Sequence, residues 1–182
     1  MPETPRNVIV RTAARESDVA LVRALMLEYG THLAANPAGA ANICIAGYET
    51  ELAGLPAPYI SPGGLLLAEV DGTAAGCVAL KPLKPLAPSA EVVLPLEIKR
   101  LWVSEGFRGL GLGRNLMTAA IDHARTAGAA AVYLDTVPAA MPEANRLYAA
   151  LGFEPVERYN DNRAAEVTFF RLQLNAPNRD PS

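Results

Sequence analysis

Two cysteines, two histidines and no long apolar run are what this 182-residue chain has little of, and each scarcity excludes something. No segment reaches the roughly 18 consecutive apolar residues that a membrane span needs. The opening MPETPRNVIVRT holds no apolar stretch suited to a secretory leader. Cys44 and Cys77 lie in NICIAG and AAGCVAL, apolar settings without metal-ligand spacing. With so few histidines a zinc site has no ligand set, and no metal is expected. Two buried thiols suit a reducing compartment, so a cytoplasmic location is expected. The net charge of −3 gives no whole-surface attraction for nucleic acid or an anionic membrane. Neither is expected as a partner, and any anion site must be local. No long-period repeat is present.

What is there suits a globular protein, with 51% hydrophobic and 19% charged residues. The length predicts one domain over 1–174, followed by a disordered tail, NAPNRDPS, over 175–182. NVIVRTA reads as a strand. Ser17 and Asp18 can cap a helix, VALVRALMLEYGTHL, whose Val19, Val22, Leu25, Met26 and Tyr29 recur at helical spacing. AGYETELAG reads as a shorter helix and GLPAPYISPGG as a loop. LLLAEV and AAGCVALKPL flank the turn signal Asp71-Gly72, which predicts a hairpin. Prolines 82, 85, 88 and 95 predict an extended surface loop. A strand, LEIKRLWVS, comes next.

From Leu112 a helix runs to about Ala127, with Leu116, Met117, Ala120, Ile121 and Ala124 on one face and Gly128 as its stop. AAVYLDTV is a strand, PEANRLYAAL a helix opened by Pro142 and closed by Gly152, and FEPVERY and EVTFFRLQL are two closing strands. The fold class is therefore α/β, a mixed sheet with a strand, helix, strand crossover at its centre.

Between that central strand and its helix lies FRGLGLGRNLM. The first turn of a helix offers unpaired N–H groups and the positive end of the dipole. Gly109, Gly111 and Gly113 leave those groups bare, and Arg108 and Arg114 add charge on either side. This is a cradle for a phosphate or diphosphate. A Walker A loop would need Lys-Ser/Thr after its last glycine, and Arg114-Asn115 stands there instead. A dinucleotide fingerprint fails at Leu116 or Arg114, although Asp135 lies where a ribose-binding acid would, so an oxidoreductase stays as a remote alternative.

The pattern met is R-x-x-G-x-G, on Arg108, Gly111 and Gly113. With EIKRLWV, RGLGLGRNL, LDT and ANRLYAALGF in order from Glu97 to Phe153, the chain resembles the GNAT superfamily of N-acetyltransferases. The resemblance implies a mixed, mostly antiparallel central sheet of six or seven strands flanked by about four helices. It implies acetyl-CoA as acyl donor, with the diphosphate over Gly109, Leu110, Gly111, Leu112, Gly113 and Arg114, and with Arg108 beside it. The pantetheine arm would pair along Leu101, Trp102 and Val103, where the central strand splays from its neighbour.

Lys99 and Arg100 are adjacent charges in this strand, so either a bulge brings both to one side or their long stems reach the surface. Glu97 is the expected base, acting directly or through water, Tyr148 the expected acid for the CoA sulfur and a cofactor contact, and Asn145 a hydrogen-bond partner of the arm. A main-chain N–H of residues 101–103 would polarise the carbonyl. His32 and His123 are placed on the surface, and Arg125 on a solvated helix face. The resemblance implies an amine acceptor, of a small molecule or peptide, bound by the first two helices, the loop between them and the last two strands, with Tyr48, Tyr59 and Tyr159 as candidate lining. A non-catalytic CoA-binding sensor is the alternative, and a homodimer is left open.

Overall fold

A computed structural model describes residues 6–40, 45–83, 95–162 and 166–174. In chain order the elements are β1 (Val8–Thr12), α1 (Glu16–Ala35), α2 (Pro37–Ala40), α3 (Ile45–Gly54), β2 (Gly64–Val70), β3 (Thr73–Pro82), β4 (Leu96–Val103), α4 (Leu112–Thr126), β5 (Ala131–Thr136), α5 (Pro142–Ala150), β6 (Glu154–Val156) and β7 (Thr168–Gln173). One seven-stranded sheet runs β1-β2-β3-β4-β5-β7-β6. Every neighbouring pair is antiparallel except β4 and β5, which α4 connects in parallel. This is the mixed, mostly antiparallel sheet that the sequence implies.

Strand periodicity decides how the layers stack. In β2 and β3, Leu66, Ala68, Val78 and Leu80 face α4, joining Leu116, Met117, Ala120, Ile121 and Ala124 in one core. Leu65, Leu67, Cys77 and Ala79 face the other way, packing with Val22, Leu25 and Met26 of α1 and with Tyr48 and Leu52 of α3. Both faces are thus covered, which is why these strands read as continuous apolar runs rather than alternating ones. Met26 and Leu67 are fully enclosed; side chains of this size each contribute about 1.5–3 kcal/mol by leaving water. The Asp71-Gly72 hairpin turn has φ of 51° and 79° at its two residues, the left-handed pair that a two-residue turn requires.

Three boundaries differ from expectation. Helix α1 starts at Glu16, because Asp18 acts from within the first turn: its Oδ2 accepts the Arg15 N–H at 3.1 Å and its Oδ1 pairs with Arg11 at 2.9 Å. Pro82 ends β3 rather than opening a loop, paired opposite Leu96, and the Leu83 N–H reaches the Pro95 carbonyl at 2.9 Å. Strand β6 stops at Val156, because Tyr159, Asn160 and Asn162 bond instead to carboxylates of β4 and β5. Cys44, prolines 85 and 88, and the tail 175–182 lie outside the described residues.

Candidate functional site

Strands β4 and β5 pair at only two positions, Leu96 with Val132 and Glu97 with Tyr133. Beyond Glu97 they part. On its other side β4 carries a bulge: Ala79 faces Lys99 and Cys77 faces Trp102, so Arg100 and Leu101 together stand opposite Val78. Arg100 takes the extra turn at φ 59°. The extra residue brings Arg100 round to α3, where its guanidinium meets Glu51 at 2.6 and 2.9 Å. Leu101 and Val103 then face the α4 core, and Trp102 the α1 core. Of the two ways to house adjacent charges, the chain uses the bulge.

At the C-terminal end of β4 the chain makes a 3-10 turn, Glu105–Phe107, and enters α4 through the glycines. Gly109 and Gly111 have φ of 81° and 76°, and a Cβ on either would stand in open space. Gly113 differs: its Cβ would meet Leu147 Cδ2 at 3.5 Å, an ordinary contact between α4 and α5. Among the described residues no side chain caps α4, and its first internal bond runs from Asn115 N–H to the Gly111 carbonyl at 3.1 Å. The N–H groups from Gly111 to Arg114 are therefore left for something else, which is the condition a bound diphosphate fits.

Two cavities meet here. A cleft of about 500 Å³ is lined by Leu101, Trp102 and Val103 of β4, by Arg108, Gly109, Gly111, Leu112, Gly113 and Arg114, and by the start of α5. A smaller wedge of about 120 Å³ lies where β4 and β5 diverge, with Tyr29, Lys99, Arg100, Asp135, Tyr148 and Asn162 around it. Leu101, Ala140 and Met141 line both. The junction sits beside the bulge.

The expected residues divide accordingly. All nine just named from β4, the turn and α4 gather in the cleft. Leu110 does not line it; its side chain packs toward Val70, Ala75 and Leu112. Arg108 folds back, with its guanidinium 5.0 Å over the Trp102 ring and Nε donating to the Val103 carbonyl at 3.3 Å. Asn145 lines neither cavity, because its amide donates to the Met141 carbonyl at 2.9 Å and to Thr136 Oγ1 at 3.3 Å, tying α5 to β5.

Glu97 lines neither cavity either. It is 1% exposed and enclosed by donors: Tyr159 Oη at 3.1 Å, Asn160 at 3.0 Å, Lys81 at 3.2 Å and Lys99 at 3.3 Å. Because Glu97 borders neither cavity, the direct base role expected of it finds no geometric support.

Tyr148 does face the wedge, and its hydroxyl has no hydrogen-bond partner among the described residues. Burial pushes the phenol above its usual range, which keeps it protonated. Asp135 is the carboxylate of the wedge. Burial would raise its pKa, but Lys99 at 3.0 Å and the amides of Asn162 and Asn160 outweigh that and hold it below the usual carboxylate range. Three donors occupy Asp135, leaving one lone pair on Oδ1.

Other assignments move. Tyr48, Tyr59 and Tyr159 are core residues whose hydroxyls donate to the Met26 carbonyl, Glu51 and Glu97; Tyr29 reaches the wedge instead. His32 lines the cleft, its ring 5.1 Å from that of Trp102. His123 lies against the Pro62 and Gly63 carbonyls, each 3.1 Å from Nε2. Tyr29, His32 and Leu33 stand at i, i+3 and i+4 on α1, a spacing that marks one helix face in sequence but not what that face meets.

The acetyltransferase (GNAT) family model matches residues 37–153, which include the parted strands, the glycine turn and α5. The chain belongs to the GNAT family. An uncharacterized N-acetyltransferase of Schizosaccharomyces pombe is 36% identical over 128 residues, spanning 69% of this chain and 74% of that relative. The fold is shared with a GNAT-family acetyltransferase from Staphylococcus aureus, with a TM-score of 0.69 and 18% identity over 93% of this chain and all of that one. It is shared too with yncA of Salmonella typhimurium, described with its cofactor acetyl-CoA, with a TM-score of 0.67 and 21% identity over 96% and 98% of the two chains. Family membership supports acyl transfer from an acyl-CoA as the general chemistry.

Proposed function

We propose that this protein transfers the acetyl group of acetyl-CoA to a primary amine of a small molecule or peptide, by direct attack with both substrates bound. The observation that carries the reading is the meeting of the two cavities at Leu101. One ends at four uncapped N–H groups suited to a diphosphate, and the other holds an unpartnered phenol and a carboxylate.

In this reading the N–H groups of Gly111, Leu112, Gly113 and Arg114 hold the diphosphate, with the Arg114 charge beside it. The parted edge of β4 at residues 101–103 takes the pantetheine arm as an added strand would. Bound acetyl-CoA supplies a thioester, whose carbonyl carbon gains the bond to nitrogen as the carbon–sulfur bond breaks. The main chain at Leu101 donates to the carbonyl oxygen as charge develops there.

Two protons leave the substrate ammonium. Asp135 Oδ1, with its free lone pair, orients the ammonium and passes one proton on to water. The Tyr148 hydroxyl gives its proton to the departing sulfur and recovers one from the nitrogen. Asp135 thus takes the place assigned from sequence to Glu97, because it borders the wedge and Glu97 does not. Glu97 acts one step back, holding Lys99 and Asn160, which in turn hold Asp135.

The deciding experiment follows free thiol release from acetyl-CoA over a panel of amines, amino acids and peptides. At least one acceptor should release CoA stoichiometrically with its own acetylation. Acetyl-CoA that neither binds nor is turned over with any amine would overturn the reading.

A further inference from the structure

Arg100 is non-glycine at φ 59°, in the middle of a strand. A side chain there strains the backbone and persists only where surroundings over-determine it. Here they do. Glu51 of α3 grips the guanidinium through two bonds, and the Tyr59 hydroxyl donates to the same carboxylate at 2.6 Å. The Tyr48 and Tyr29 rings lie 4.9 and 5.9 Å from the guanidinium carbon. The Cys77 thiol approaches the Arg100 carbonyl at 3.6 Å. All of this fixes the residue directly before Leu101, which lines both cavities.

We infer that the Glu51–Arg100 pair is a positioning clamp: from helix α3 it holds the β4 bulge in the conformation that presents the Leu101 main chain to the donor's carbonyl oxygen. The inference deepens the acyltransferase reading and rests on it. Arg100 borders the wedge, but its guanidinium is turned to Glu51. The clamp acts through the backbone, and it makes α3, an element remote from the diphosphate mouth, a determinant of carbonyl polarisation. A fork-shaped guanidinium suits the task and an ammonium does not, since two parallel bonds fix an orientation that one point charge leaves free.

The probe is acetyl-CoA labelled with carbon-13 at its carbonyl, bound to the full chain. It is read by difference infrared spectroscopy beside the affinities for CoA and acetyl-CoA. In the wild type the carbonyl band should move to lower frequency on binding. Arg100→Gly keeps the positive φ free of strain and removes the clamp. It should bind CoA within about threefold of wild type, while the carbonyl band returns at least half way to its free position. Arg100→Lys should fall between, and Glu51→Gln should resemble Arg100→Gly. If Arg100→Gly does not fold, the latter two carry the test.

Variants that fold, bind acetyl-CoA and keep the wild-type band overturn the clamp alone. A wild type that fails to bind acetyl-CoA overturns the acyltransferase reading, and the clamp with it.

Discussion

Lys99 stands 3.0 Å from Asp135 across the gap where β4 and β5 part. Burial alone would lower the lysine's pKa, but Glu97 and Asp135 outweigh it and raise it, so the ammonium stays charged. The pair bridges two strands at the level where their backbones have stopped bonding to each other. It also holds the wedge carboxylate ionised. Asp135→Asn should leave acetyl-CoA affinity unchanged and lower turnover by about 10²-fold, the low end for a positioned proton-handling group. Thiol-release kinetics on an acceptor found in the screen check this. Wild-type turnover in the variant would remove Asp135 from the reaction.

Glu97→Gln tests the opposite case. Two lysines and two neutral donors close on this carboxylate, so loss of its charge breaks its pairing with Lys81 and leaves the buried Lys99 to Asp135 alone. The variant should lose about 3 kcal/mol of unfolding free energy, the lower range for breaking a buried ion pair, as measured by urea titration. Its pH–rate profile should keep the wild-type shape. A profile whose acid limb vanishes would return the base role to Glu97.

The contrast between Glu97 and Asp135 shows what a sequence can reveal. The central elements were legible, since the continuous apolar runs of β2 and β3 and the 3-4 spacing of α4 each mark buried structure. The mouth of α4 was legible too, because glycine at positive φ before an uncapped helix is a local requirement. The neighbourhood of Glu97 was not. Its partners Tyr159 and Asn160 lie 62 and 63 residues on, and they arrive only because β6 ends at Val156 and the chain folds back over the sheet. His32 lies outside the family motifs, so nothing local marks it, yet α1 packs where its last turns overlook the cleft.

Tyr148→Phe separates chemistry from packing. The ring lies 6.0 Å from Phe153 and 6.3 Å from Phe170, and phenylalanine preserves both contacts. Removing a buried hydroxyl that has no partner among the described residues should not destabilise the fold. Turnover should fall by about 10²-fold with the KM for acetyl-CoA unchanged. Equal thermal midpoints beside reduced turnover are the expected pair of results; unaltered turnover would leave Tyr148 a core aromatic.

Gly111 and Gly113 should respond differently. A β-carbon at Gly111 meets no atom but is forced to φ 76°, at a cost of about 1–2 kcal/mol, and a larger side chain there projects from the mouth of α4. Gly111→Val should therefore weaken acetyl-CoA binding at least tenfold in calorimetric titration, with the fold retained. Gly113→Ala has no such φ and makes an ordinary contact with Leu147, so its thermal midpoint should match wild type. Unaltered affinity in Gly111→Val would show that the diphosphate lies elsewhere.

The response to acid follows from the sign of the carboxylate shifts. Asp18 is held at about 2 by hydrogen bonds from the Arg11 side chain and the Arg15 backbone. Glu51 and Asp135 are also lowered, burial in each being outweighed, by Arg100 for Glu51 and by Lys99 for Asp135. In the unfolded chain such groups titrate near ~4. As pH falls through that value the unfolded state binds protons that the folded state refuses, so stability is lost toward the folded pKa values. Lys99 is shifted upward, and its contribution is present below about 10 and lost as pH rises further. Urea midpoints should therefore be level through neutrality and fall steeply below about pH 4. In Asp18→Asn the neutral-pH midpoint should be lower and the acid slope shallower, because one of the groups that drives it is gone. A variant whose acid slope equals that of the wild type would show that the Arg11–Asp18 pair does not couple protonation to folding.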